Sequence, residues 1–151
     1  MRVLILKKQR KLYLMNGTAA VLCVPVGLGI HPDGQKALAG DGKTPEGVYT
    51  ICLIKPDGKY GRSLGISYPN AADARLALEA GRIDAQTCRA IQSAIAENRR
   101  PPWGTALGGE IYIHEGGAQE DWTQGCIALN SADMDTLYPY HPVIEQVEIR
   151  P

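Results

Sequence analysis

With 151 residues and 44% hydrophobic content, the chain is long enough for one domain with a real core, spanning 1–151, and too short for two. Sixteen Lys+Arg against sixteen Asp+Glu give a net charge of zero, so no overall field draws it toward nucleic acid or a membrane surface. No apolar run approaches the roughly 18 residues of a membrane span, and the opening MRVLILKKQRK puts its charges after a very short apolar run, unlike a secretion signal.

In chain order, VLIL, KLYLM and AAVLCVPVGL are short apolar or alternating runs that predict a β meander. Asn16-Gly17, between the second and third, is a strong hairpin signal. In GDGKTPEGVYTICLI, Pro45 suits the second position of a turn and Gly47 its last, ahead of a β-branched and aromatic strand from Val48 to Ile54. KPDGKYG makes another turn. The texture then changes: NAADARLALEAG carries a helix cap at Asn70, Asp73 three residues on and a stop at Gly81. DAQTCRAIQSAIAENRRPP runs from a cap at Asp84 to two cations and a double proline. Two helices over about 70–100 therefore interrupt the sheet. EIYIH, CIAL and VIEQVEI return to short strands, and NSADMDTLY is a brief helix capped by Asn130 or Ser131. The pattern is mainly β (α+β), with no internal repeat or linker.

Four cysteines without a C-x-x-C pair do not make a disulfide scaffold, and their scattered spacing argues against a structural zinc site. Cys23, Cys52 and Cys88 sit in apolar surroundings and are expected to be small buried residues. Cys126 differs, because Gly125 precedes it and a polar loop leads into it. His114 ends an apolar run twelve positions earlier. A cysteine nucleophile needs a base, a group that orients the base, and backbone N–H donors for the developing oxyanion. His114 could be the base, Gly116 and Gly117 could bend a carbonyl toward its other nitrogen, and Gly125 and Cys126 could supply N–H donors. On residue types alone, a catalytic pair and an unrelated buried thiol both stay open. His31 in GIHPDG and His141 in YHPV read as solvated loop histidines. Trp103 and Trp122 flank the stretch and fit either a pocket wall or the core. Arg99 and Arg100 complement a helix C-terminus or could meet a carboxylate.

The order KKQRKLYL, VPVGLG, GDGKTPEGVYTI, SLGISYPN, IHEGG and DWTQGCIAL resembles the catalytic domain of the L,D-transpeptidases, bacterial cysteine enzymes that cross-link peptidoglycan, over essentially the whole chain. The most specific part is a His-then-Gly segment followed by Ser/Thr-x-Gly-Cys, which falls on His114, Gly116 or Gly117, and Thr123-Gln124-Gly125-Cys126. The resemblance implies a mixed β-sheet sandwich with a two-helix insertion and a short helix after the cysteine. It further implies Cys126 as nucleophile, His114 as base, and Gly125, Gly116 and Gly117 as oxyanion and orienting groups. Thr123, Trp122 and Gln124 become substrate-binding candidates. Peptidoglycan stem peptides are the expected partners and the cell envelope the expected location; no metal, no cofactor and a monomeric chain are expected. The same Cys-His machinery would serve hydrolysis, and a non-catalytic wall-binding β domain is the reading from another class. Three positions depart from the usual pattern: Glu115 where His is normally followed by Gly, Gln124 where His is common, and Ala128 where Arg is common. They bear on substrate identity more than on Cys-His chemistry.

Overall fold

The computed structural model covers Met1–Pro151 and contains two sheets and three α-helices. The first sheet holds β1 (Arg2–Leu6), β2 (Lys11–Asn16), β3 (Ala19–Pro25), β4 (Gly47–Tyr49) and β9 (Gln146–Arg150) in the order β3-β2-β1-β9-β4. The second holds β5 (Ile51–Gly58), β6 (Gly61–Ile66), β7 (Tyr112–His114) and β8 (Ile127–Ala128) in the order β5-β6-β7-β8. β1 pairs with β9 in parallel, as does β7 with β8; the other pairings are antiparallel.

Alternation along the strands decides which face each sheet buries. Val3, Ile5, Leu12, Leu14, Val147 and Ile149 of the first sheet join Leu64, Ile66, Ile113 and Ile127 of the second in one continuous core. This is the mixed sandwich that the resemblance implies. The predicted single strand Val48–Ile54 is instead divided at Thr50 between the two sheets. There Thr50 and Ser67 exchange bonds: the Thr50 N–H donates to Ser67 Oγ (2.9 Å) and the Ser67 N–H to the Thr50 carbonyl (2.9 Å). Periodicity could not reveal the break, because both pieces are β-rich and the switch is made by a tertiary partner.

Other departures are local. The hairpin turn is Gly17-Thr18 rather than Asn16-Gly17, with Asn16 paired to Ala19. No turn forms over Thr44–Gly47: residues 44–46 have no regular structure and Gly47 already opens β4. That segment is instead held from behind by Lys7, whose buried ammonium donates to the carbonyls of Gly34 and Thr44 (2.8 Å each) and to Glu46 (3.0 Å). Cys23 is exposed, because it falls on the outer face of β3; Cys52 is half-buried and Cys88 buried.

The helices follow their caps. α1 (Ala71–Glu79) starts with a reciprocal capping box between Asn70 and Asp73, and α2 (Ala85–Ala96) starts from Asp84. α1 turns Ala74 and Ala77 into the core, and α2 turns Cys88 and Ile91. α3 (Ser131–Leu137) begins after Asn130, but the Asn130 side chain makes no cap bond. Its Oδ1 accepts instead from the Ala118 N–H (3.0 Å) and the Gln119 amide (3.1 Å), holding the loop that follows His114.

Candidate active site

Parallel pairing of β7 with β8 sets Ile113 beside Ile127 and His114 beside Ala128. The two isoleucines are fully buried toward the core, so His114 points to the opposite face of β7. Cys126 lies one residue before β8 and, by the same alternation, on the same side as His114. It is level with Tyr112, whose N–H reaches Sγ at 3.4 Å. His114 and Cys126 line one cleft of about 260 Å³, with Lys55, Lys59, Tyr60 and Glu110 on its walls. A second cavity of about 350 Å³, lined by Trp103, Gln124 and Lys36, meets the first at Cys126 and Glu110.

Gly125 explains the approach to the sulfur. Its φ is +135°, and a Cβ there would stand 2.6 Å from the carbonyl oxygen of Lys43. Only glycine fits this turn against the 33–46 segment. Thr123, almost fully buried, braces the turn from inside: its hydroxyl donates to the Cys126 carbonyl (2.7 Å) and accepts from the Gly125 N–H (3.1 Å). The Gly125 N–H is therefore engaged by Thr123, whose buried hydroxyl braces the turn. The N–H of Cys126 itself has no partner within the chain.

His114 is 3% exposed, and the carbonyl of Glu115 accepts from its Nδ1. A carbonyl can only accept, so Nδ1 carries the proton and Nε2 is left as the basic nitrogen. The orienting carbonyl thus belongs to the peptide joining Glu115 to Gly116. Gly116 lies under the Trp122 ring, and the Gly117 N–H donates to Leu129. Trp122 stands edge-on to the imidazole with centroids 5.7 Å apart, and its indole N–H donates to the Gly117 carbonyl (3.0 Å). It packs behind the histidine and is not among the residues that line the cleft. Gln124 is exposed on the second cavity.

Burial depresses the His114 pKa, with only partial compensation from the Glu115 carbonyl, and burial raises that of Cys126. Both shifts have the same physical cause, desolvation of the charged form, and both favour the neutral forms. The thiol donates to the Glu110 carbonyl at 3.4 Å, and no hydrogen bond joins it to His114. Glu110 holds this position at φ +55°, unusual for a residue with a side chain.

Sequence reading missed Tyr60, which stacks on the imidazole at 4.9 Å and 23°, and Glu110. Neither carries a signal: Tyr60 is far upstream in a hairpin tip, and Glu110 acts through its backbone. Trp103, left open between core and pocket, packs edge-on against Tyr112 (5.7 Å) and walls the second cavity, with the Arg100 guanidinium 4.8 Å above it. Arg99 pairs with Glu97 in solvent. His31 is exposed, whereas His141, expected to be solvated, packs against Tyr138 at 4.9 Å within a 3₁₀ turn.

The L,D-transpeptidase catalytic-domain model (YkuD) matches residues 1–149. The chain belongs to that family. Among solved structures, a similar fold is found in the helical cell shape determining protein Pgp2 of Campylobacter jejuni (TM-score 0.64, 21% identity, 98% of this chain and 46% of that one). It recurs in Bd1075 of Bdellovibrio bacteriovorus (0.58, 21%, 99% and 47%). An L,D-transpeptidase of Xylanimonas cellulosilytica is similar as well (0.57, 13%, 98% and 59%). The chain thus spans about half the length of these proteins, and at such identities the likeness concerns fold. No curated protein sequence matches significantly.

Proposed function

We propose that this domain is an L,D-transpeptidase acting on peptidoglycan stem peptides through a Cys126 thioester, with His114 as base. The observation that carries the reading is the placement of His114 and Cys126 on one side of adjacent parallel strands, lining one cleft, with Nδ1 already committed to a carbonyl. Nε2 takes the thiol proton as Sγ attacks the carbonyl carbon of the amide after the diamino acid. The unpartnered Cys126 N–H faces the developing oxyanion. The C–N bond breaks and the amine departs with the proton held by His114. An amine of a second stem then attacks the thioester, passing its proton to His114, and sulfur leaves as the thiol once that proton returns.

Two cavities converging on Cys126 favour a two-substrate transfer over hydrolysis: one can hold the acyl donor while the other admits the amine. The working place is the cell envelope, where peptidoglycan lies. No helix of the structure is long and apolar enough to cross a membrane.

The test is incubation with purified tetrapeptide-stem muropeptides followed by mass analysis, in parallel with intact-mass detection of a carbapenem adduct on Cys126. Cross-linked dimers with the unaltered chain and none with Cys126→Ala are expected. Trimmed stems without dimers would make the domain a hydrolase, and unchanged muropeptides with no adduct would remove the Cys-His reading.

A further inference from the structure

Glu115 occupies the position where the family pattern has glycine, and its side chain is not idle. Oε2 accepts from the Arg62 backbone N–H (2.6 Å) and from Arg62 Nε (3.0 Å), while Oε1 accepts from Nη2 (2.9 Å). The Glu115 side chain is only 13% exposed. The pairing of Ser63 with His114 across β6 and β7 brings Arg62 alongside Glu115. Gly61 makes room: with φ +92°, a Cβ at this residue would lie 2.4 Å from Glu115 Oε2. On its far side the guanidinium meets Asp135 of α3 (2.7 Å) and lies 5.9 Å from the Tyr138 ring. Tyr60, the next residue back, stacks on the imidazole. One hairpin tip, Tyr60-Gly61-Arg62, therefore touches both the ring of His114 and the side chain of its neighbour.

We propose that the Arg62–Glu115 pair is a positioning device for His114, clamping the Glu115–Gly116 peptide so that its carbonyl holds the Nδ1 proton and Nε2 stays the base. The inference rests on the Cys-His reading above. Its physical basis is that Gly116 puts little restraint on this peptide, and a carbonyl one residue from the ring it orients is displaced by a small rotation. A fork of two guanidinium bonds plus a backbone bond fixes the residue from its side-chain end. Glycine at this position would leave the same carbonyl held by the loop alone.

The decisive measurement is the ¹⁵N imidazole spectrum of His114 near pH 8, taken on the unaltered chain and on Glu115→Gln, Glu115→Ala, Arg62→Ala and Arg62→Lys, alongside steady-state acyl transfer. The unaltered chain is expected to show the Nδ1–H tautomer. Glu115→Ala and Arg62→Ala should show a mixture with Nε2–H and a fall of about 10- to 100-fold in kcat, with KM nearly unchanged, the size expected for a misplaced catalytic group. Arg62→Lys and Glu115→Gln, which keep part of the contact and carry the test if the alanine variants do not fold, should fall between. Folded variants with the original tautomer and kcat would overturn the clamp. Because the spectrum needs no substrate, a tautomer change in a chain that transfers no acyl group would reject the transpeptidase reading and keep the clamp.

Discussion

Every second residue of β1 and β2 is fully buried, and Val147 and Ile149 repeat the pattern in β9, whereas the four-stranded sheet tapers to strands of three and two residues between loops rich in glycine at positive φ. The first sheet spends its side chains on the core. The second gives one face of β7 and β8 to the core through Ile113 and Ile127 and leaves the other for His114 and Cys126. Regularity and the candidate site are thus divided between the sheets: the five-stranded one is built around the core, and the short strands of the other position His114 and Cys126.

The largest expected effect tests that division directly. His114→Ala or Cys126→Ala should lower acyl transfer by about 10⁴-fold or more, as losses of a nucleophile or its base do. The thermal midpoint should stay within about 4 °C. A variant that unfolds instead would show that the site also carries the fold. On the other sheet, Leu14→Ala removes a fully buried side chain and should cost about 2–5 kcal/mol in urea unfolding, with kcat unchanged wherever the variant is folded.

Thr123→Val probes the seam between the two regimes. It strands the Gly125 N–H and the Cys126 carbonyl, so both stability, by about 1–3 kcal/mol, and the rate of Cys126 acylation should fall. A change in only one would assign the brace to one role. The Glu115 carboxylate is held down to about 2 from 4.5, chiefly by the Arg62 side chain. A depressed carboxylate pKa adds stability that is present above the unfolded value and lost as pH falls. Wild type should therefore lose stability relative to Glu115→Gln between about pH 4.5 and 2, as read from urea midpoints. Parallel midpoints across that window would remove the pair's contribution. The smallest effect is Cys23→Ser, within about 0.5 kcal/mol of wild type because the side chain is exposed. A larger loss would mean that the outer face of β3 is covered.

Much of the first sheet and both helices of the insertion were legible in the sequence, because alternation and caps are local signals: Asn70 with Asp73, Asp84, and the run Arg2–Leu6 all fall where their residues ask. The family motif singled out His114 and Cys126 as candidates, and the structure sets them on one cleft. The strand break at Thr50 was not legible, since it depends on Ser67 from another strand. Nor were the contributions of Tyr60, Arg62 and Glu110, which reach the site from a hairpin tip and from a backbone carbonyl. Thr123 and Trp122 were legible only as weak substrate-binding candidates; that Thr123 bonds the Cys126 carbonyl and Trp122 packs on His114 was not, because sequence marks a position without saying which way its side chain points.

The parallel pairing of β1 with β9 has a consequence for how the chain comes to be folded. Arg2 and Glu148 meet across 146 positions of sequence, and β9 lies between β1 and β4 in the middle of its sheet. Contacts closed over so long a loop form late and slowly. While the chain is being synthesised, the β1–β3 meander has one flank open and β4 has no partner until residues 146–150 leave the ribosome. His114 and Cys126 are already made by then. Assembly of the sheets around the candidate site thus waits on a strand that contributes nothing to it, and a nascent chain halted just before β9 would carry both His114 and Cys126 without a finished sheet to hold them.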